Sequence, residues 1–300
     1  MIVRRCLELV FYCLWLFFCA ALLIGCAQPH FDLLVRGGLV HDGSGGPAYR
    51  ADIGIVGDSI AYVGDRRRRV KADAVIEADG YVVAPGFIDP HTHLGYDLSR
   101  PERRDVRSQI MQGVTTAVIG NDGGGRVGAA RWLAELDSAG IGVNIATLVG
   151  HNHVRRTVMG MADRAPTPEE LEQMKALVAR GMVEGALGLS AGLFYSPGSF
   201  ARTEEVIALA KVAAAYGGLY DVHLRDESSY TIGLTAAVEE TIRIAEAAGI
   251  HANISHIKAL GADVWGKSRE VVRLIEAARA RGISVTADQY PYEASSTGLH

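Results

Sequence analysis

From Phe87 onward, apolar strand-like segments recur about every 30 to 40 residues, starting near Phe87, Thr115, Asn144, Leu187, Leu219, Ala252 and Ile283, with helical stretches between them. Strands joined through helices run parallel, because each crossover returns the chain to the same end of the sheet. Thr167 is a good N-cap for a helix over 168–179, Thr203 for one over 204–216 that Gly217 ends, and Gly249 ends a third over 234–248. Seven such units predict an α/β fold, a TIM-type (β/α)8 barrel with about seven of its eight units present. A doubly wound open sheet is the alternative; no Gly-x-Gly-x-x-Gly opens the first helix, which favours the barrel.

Residues 27–84 read differently. Short apolar or alternating runs at 33–40, 53–56, 60–63 and 74–83 are punctuated by Asp42-Gly43, Gly57-Asp58 and Asp79-Gly80, which predicts part of a small β-sandwich ahead of the barrel at 85–300. Residues 1–26 read as a targeting segment: Arg4 and Arg5 lead an apolar run over 7–25 whose one charge is Glu8. Leu23-Ile24-Gly25-Cys26 resembles a bacterial lipobox, which implies lipidation at Cys26 and a periplasm-facing lipoprotein of the cell envelope. Ala27, rather than aspartate, favours the outer membrane. A plain signal peptide or an uncleaved anchor helix is the competing reading. All four cysteines (Cys6, Cys13, Cys19, Cys26) lie in this segment, so none is left for a disulfide or a thiolate ligand in the barrel. The net charge of -4 gives no basis for nucleic-acid binding, and the arginine run at 66–69 reads as a solvated turn.

Polar residues collect just past the strand ends, the face on which barrel active sites are built. His91-Thr92-His93 ends the first unit, Asn121-Asp122 the second, His151 and His153 the third, Tyr195 the fourth, His223 the fifth, His256 and Lys258 the sixth, and Asp288 and Tyr290 the seventh. In an extended segment His91 and His93 share a face, so both imidazoles can reach one point. A single histidine at a strand end is more often a hydrogen-bonded core residue than a ligand. Several imidazoles at one barrel mouth would repel when protonated, and a divalent cation relieves this.

The chain resembles the amidohydrolase superfamily, and within it the N-acyl-D-amino-acid deacylases (D-aminoacylases). The stretches that carry the likeness are Pro85-Gly86-Phe87-Ile88-Asp89 with the His-x-His, Leu193-Phe194-Tyr195-Ser196-Pro197-Gly198-Ser199, His223-Leu224-Arg225-Asp226-Glu227, Ile254-Ser255-His256-Ile257-Lys258 and Asp288-Gln289-Tyr290-Pro291-Tyr292. The resemblance implies one or two divalent metals, zinc above all, held by His91, His93, His223 and His256. Asp122 stands where the family usually has a cysteine. A carboxylate is a harder donor than a thiolate and can bridge two metals. The alternative for Asp122 is a turn residue before three glycines.

Tyr195, Lys258 and Tyr290 match positions that hold the substrate's carboxylate and amide carbonyl, and His151 is a further candidate contact. Arg225 and Glu227 read as a structural ion pair. The implied reaction is metal-assisted hydrolysis of an N-acyl-D-amino acid, a small-molecule substrate. The family's general base is an aspartate ending the eighth strand, expected beyond His300, and Asp288 is not a convincing substitute. The 300 residues are therefore read as a fragment of a longer frame, with impaired activity by themselves. The alternatives are a cyclic-amide hydrolase related to dihydroorotase, against which stands the lack of lysine between Ser138 and Met161, and a non-catalytic envelope lipoprotein.

Overall fold

The computed structural model describes residues 30–65 and 70–297; the expected leader with Cys26 and the arginine run at 66–69 lie outside the described residues. The chain divides into two units, Met1–Pro85 and Gly86–His300.

In the first unit, β1 (His30–Val40) is central. It pairs antiparallel with β2 (Tyr49–Val56), which pairs antiparallel with β3 (Ser59–Gly64), and parallel with β4 (Lys71–Glu77) and β5 (Val82–Val83). Phe31 and Leu34 are buried, and Phe31 stacks on Tyr62 with centroids 5.7 Å apart. The strand expected over 74–83 is two strands, because the chain turns at Asp79-Gly80, where Gly80 takes a φ of 86° that L side chains rarely adopt. The described residues of this unit form one five-stranded sheet.

The second unit alternates strand and helix. Strands β6 (Phe87–Asp89), β7 (Val114–Ile119) and β8 (Asn144–Thr147) pair in parallel in that order. So do β9 (Val149–Gly150), β10 (Gly188–Gly192), β11 (Leu219–His223), β12 (His251–Ile254) and β13 (Val285–Ala287). Leu148 alone separates β8 from β9, and its N–H donates to the Ile119 carbonyl at 3.0 Å. One strand thus pairs with β7 by its first half and with β10 by its second. The result is a continuous parallel wall of the (β/α)8-barrel kind.

The helices are α1 (Gly95–Leu98), α2 (Arg107–Ile110), α3 (Ala129–Ala139), α4 (His151–Met159), α5 (Pro168–Val183), α6 (Thr203–Ala215), α7 (Leu234–Ala248) and α8 (Ser268–Ala280). The main core joins α5, α6 and α7 to the wall through Met174, Val178, Leu209, Val238, Leu189, Tyr220 and Val222. A smaller cluster around Ile119, Trp132 and Leu136 sits under the first strands.

Thr167 caps α5 with a full capping box, its Oγ1 accepting from Glu170 N–H at 3.2 Å and Glu170 accepting from Thr167 N–H at 2.8 Å. The helix runs to Val183, past the end expected at 179. Thr203 is not the cap of α6: Arg202 occupies that position, and the Thr203 hydroxyl donates to Glu240 at 2.8 Å instead. A tertiary acceptor has taken the side chain from the local role. Gly249 ends α7 at φ 64°, as the pattern requires. No helix among the described residues is long and apolar enough to cross a membrane.

Candidate metal centre

Strand β6 stops at Asp89, so the two imidazoles of the first pair do not share a pleat. Asp89 Oδ1 accepts from the His91 N–H at 3.1 Å and turns the chain; Thr92 is pinned to β7 by its N–H (3.1 Å) and hydroxyl (2.7 Å), both donating to the Val118 carbonyl. His91 and His93 flank that anchor, and their Nε2 atoms lie 3.3 Å apart. The convergence expected from strand geometry is present, but a turn produces it.

Asp122 sits in the loop after β7 with φ 55°, left-handed backbone that most L residues avoid but aspartate tolerates. The neighbouring glycines explain how the loop closes. A side chain on Gly125 would collide with the Leu148 carbonyl, and one on Gly123 with the Asn152 amide. Asn121 fastens the loop from below, donating to the Pro90 carbonyl and to Asp221 Oδ2, both at 3.0 Å. His223 closes β11 itself, whereas His256 lies two residues past β12 with φ 37°, held by its N–H donating to Asp288 Oδ1 at 2.6 Å.

These four segments bring one carboxylate among four imidazoles. Asp122 Oδ2 stands 3.7 Å from His91 Nε2, 3.4 Å from His93 Nε2 and 3.9 Å from His223 Nδ1, while its Oδ1 stands 3.5 Å from His256 Nε2. His223 Nδ1 and His256 Nε2 are 2.9 Å apart. Two possible ligand groups share Asp122: His91, His93 and Asp122, and Asp122, His223 and His256.

The electrostatics suit a cation. Burial lowers the pKa of His91, against the nearby Asp122 charge, and lowers that of His223 to about 4 despite Glu227 and Asp122. Both rings are therefore neutral donors at pH 7. Burial works against a charge on His256 too, but Asp122 and Glu227 outweigh it and raise the ring to about 9. Burial opposes the Asp122 charge, and His256, His93, His91 and His223 together hold its carboxyl well below the usual range. Asp122 Oδ1 is buried without a hydrogen-bond partner, a cost of about 1–3 kcal/mol that an ion would relieve. The imidazole-and-carboxylate donor set fits zinc.

Beneath the centre, Asp221 Oδ1 accepts from Asn253 (2.9 Å) and Ser255 (2.8 Å), and Asn253 also donates to Asp288 at 2.6 Å. Burial pushes Asp221 up to about 6. Asp221, Asn121 and Asn253 tie the bases of several ligand segments together; the sequence reading placed Asn121 at the end of the second unit without giving it this role, and passed over Asp221 and Asn253. Asp221 precedes His223 by two in a strand, which was the available signal.

The proposed substrate residues divide. The Tyr195 ring lies 4.6 Å from that of His223 and Lys258 Nζ lies 2.8 Å from His256 Nδ1, so both border the centre, whereas Tyr290 stands one contact further out, its ring 5.6 Å from Lys258 Nζ. His151 does not. It directly follows β9, as expected, but there it opens α4, is fully buried, and faces Glu205 Oε1 at 2.9 Å through Nε2. The expected pair of Arg225 with Glu227 is also corrected: Arg225 donates to Glu240 at 2.9 Å, while Glu227 accepts from Lys258 at 2.6 Å. A carboxylate two residues along is not closer in space once the strand has ended and the chain has turned.

A model of the amidohydrolase family matches residues 74–288. A D-aminoacylase of Alcaligenes xylosoxydans xylosoxydans is 42% identical over 296 residues, covering 91% of this chain and 60% of the relative. A solved structure of D-aminoacylase, a protein with a binuclear metal centre, superposes with a TM-score of 0.79 at 38% identity, over 87% of this chain and 59% of that one. N-acyl-D-glutamate deacylase from Bordetella bronchiseptica, solved with zinc and a phosphonate mimic of its tetrahedral intermediate, gives 0.79 at 35% identity over 88% and 59%. The chain thus spans about 60% of the length of the relatives it matches.

Proposed function

The chain belongs to the amidohydrolase family, and from that premise we propose that it serves metal-dependent hydrolysis of the amide bond in N-acyl-D-amino acids. The observation that carries the reading is Asp122 lying within 4 Å of ring nitrogens from both imidazole pairs, His91 with His93 and His223 with His256. The names of the relatives, a D-aminoacylase and an N-acyl-D-glutamate deacylase, supply the substrate class. Divalent ions held by these five residues would acidify a water and polarise the amide carbonyl.

The remaining roles fall to side chains at the mouth. The Lys258 ammonium, now paired with Glu227 and set against the Tyr290 ring, is the group to meet the substrate's α-carboxylate. Burial raises the pKa of the Tyr195 hydroxyl, so it stays protonated at neutral pH and can donate to an acyl oxygen. Asp288 is not the proton carrier in this reading. Its oxygens accept from the His256 N–H and from Asn253, which commits it to holding the sixth strand's end. Carrying the proton is left in this reading to an aspartate after an eighth strand, as the family resemblance implies. The envelope reading is also part of the proposal: Leu23-Ile24-Gly25-Cys26 supports lipid attachment at Cys26, and labelled palmitate should enter the parent chain but not a Cys26→Ser variant.

Calorimetry with a D-configured phosphonate analogue of an N-acyl amino acid tests the site directly. Binding that needs zinc and favours the D over the L enantiomer is expected. Binding without zinc, or equal binding of both enantiomers, would overturn the reading.

A further inference from the structure

His223 and His256 each show one nitrogen to the centre and the other to a single carboxylate. Glu227, 5% exposed, places Oε1 3.1 Å from His256 Nδ1 and Oε2 3.8 Å from His223 Nε2. The opposite nitrogens, His256 Nε2 and His223 Nδ1, face Asp122 at 3.5 and 3.9 Å. A neutral imidazole ligates only through its unprotonated nitrogen, and the partner of the other nitrogen decides which one that is. We propose that Glu227 is a positioning residue that fixes the His256 tautomer, with the proton on Nδ1, by a direct hydrogen bond at 3.1 Å, and through its charge 3.8 Å away favours the Nε2–H form of His223. The ligating atoms are then unlike: Nε2 from His256 and Nδ1 from His223. The inference rests on the metal reading of the site.

Lys258 provides the competing arrangement. Its Nζ lies 2.8 Å from His256 Nδ1 as well as 2.6 Å from Glu227 Oε1. A bond donated from Lys258 to that ring nitrogen would force the proton onto Nε2, where it would block the lone pair facing Asp122. Glu227 resolves the conflict because a carboxylate oxygen can accept from both the ammonium and the imidazole N–H. The different ring orientations follow from the backbone: His223 continues a strand, whereas His256 sits on left-handed backbone after one.

The test uses the zinc-loaded chain. Long-range nitrogen–proton NMR should find His256 in the Nδ1–H form and His223 in the Nε2–H form; the opposite tautomer in either ring overturns the proposal. Glu227→Gln should weaken zinc binding about 10- to 100-fold in competition with a chromogenic chelator, and should alter the visible spectrum of the cobalt-substituted protein. Glu240→Gln, which breaks the buried pair with Arg225 away from the centre, should leave both readouts unmoved and so separates positioning from general destabilisation. Should Glu227→Gln fail to fold, the tautomers of the parent decide. If the parent binds zinc and Glu227→Gln binds it equally, the role of Glu227 falls alone; if the parent binds no zinc, the metal reading falls with it.

Discussion

Glu205→Gln examines the buried ionic cluster that took His151 out of the active site. The Glu205 side chain, 3% exposed, accepts from Arg155 Nη1 at 2.5 Å and faces His151 Nε2 at 2.9 Å, and both partner side chains are fully buried. Arg155 Nη2 donates onward to the carbonyls of Ala162 (3.2 Å) and Arg164 (2.6 Å), fastening the segment after α4. Glutamine keeps the shape but leaves the guanidinium charge buried with neutral acceptors only. Removing one partner of a buried pair costs about 3–5 kcal/mol, which at about 1.4 kcal/mol per factor of ten is roughly two to three and a half orders of magnitude in the unfolding equilibrium. Adding Arg155→Met removes the stranded charge and should recover most of that loss.

The same cluster predicts an acid limb. Burial alone raises the Glu205 carboxyl, but His151 and Arg155 outweigh it and hold it below its ordinary 4.5. A folded-state value below the unfolded one gives stabilisation that is present above about pH 4.5 and lost as pH falls through the lower folded value. Urea unfolding followed by tryptophan fluorescence at pH 7 and at about pH 3.5 measures both effects. The reasoning fails if Glu205→Gln unfolds within about 1 kcal/mol of the parent at pH 7, or if the parent loses no more stability on acidification than the variant does.

Three further outcomes follow from the centre and its loop. His256 titrates at about 9 and His223 at about 4 in the metal-free protein, so at pH 7 zinc must displace close to one proton, chiefly from His256. Calorimetry in buffers of different ionisation enthalpy should show that release, with apparent affinity rising as pH climbs from 6 to 8; a flat profile would contradict it. Asp122→Asn should lose zinc bound by the parent, whereas Asp122→Cys should retain it, because a thiolate restores an anionic donor between the two imidazole pairs; metal analysis after dialysis reads the difference. Gly125→Ala, whose Cβ would run into the Leu148 carbonyl, should lower stability by about 1–3 kcal/mol or more and weaken zinc binding, since the loop that carries Asp122 must shift to admit it.

Much of the centre was legible before any coordinates. Strand-end histidines stand out because a barrel puts its chemistry at one face, and His91, His93, His223, His256 and Asp122 do gather there. What sequence spacing conveyed less well was local direction. His91 and His93 converge through a turn anchored by Thr92, and His256 reaches the centre on left-handed backbone, neither of which a pleat argument describes. His151 looked equivalent to the others in sequence, yet it opens a helix and turns inward to a glutamate 54 residues away. Glu227 was assigned to Arg225 by proximity in the chain, whereas Glu240, 15 residues on, holds that arginine.

Periodicity and punctuation by themselves determined the order of strands and helices, the parallel wall and the face that bears the chemistry, because hydrophobic spacing and capping are local properties that a short window contains. Only the tertiary structure decided which polar atoms meet: which ring nitrogen faces Asp122, which carboxylate stands behind it, and which histidine is buried in an ionic cluster. Those choices depend on contacts between segments tens of residues apart, and in a low-dielectric interior the partner a group finds, rather than its neighbours in the chain, sets its charge and its role.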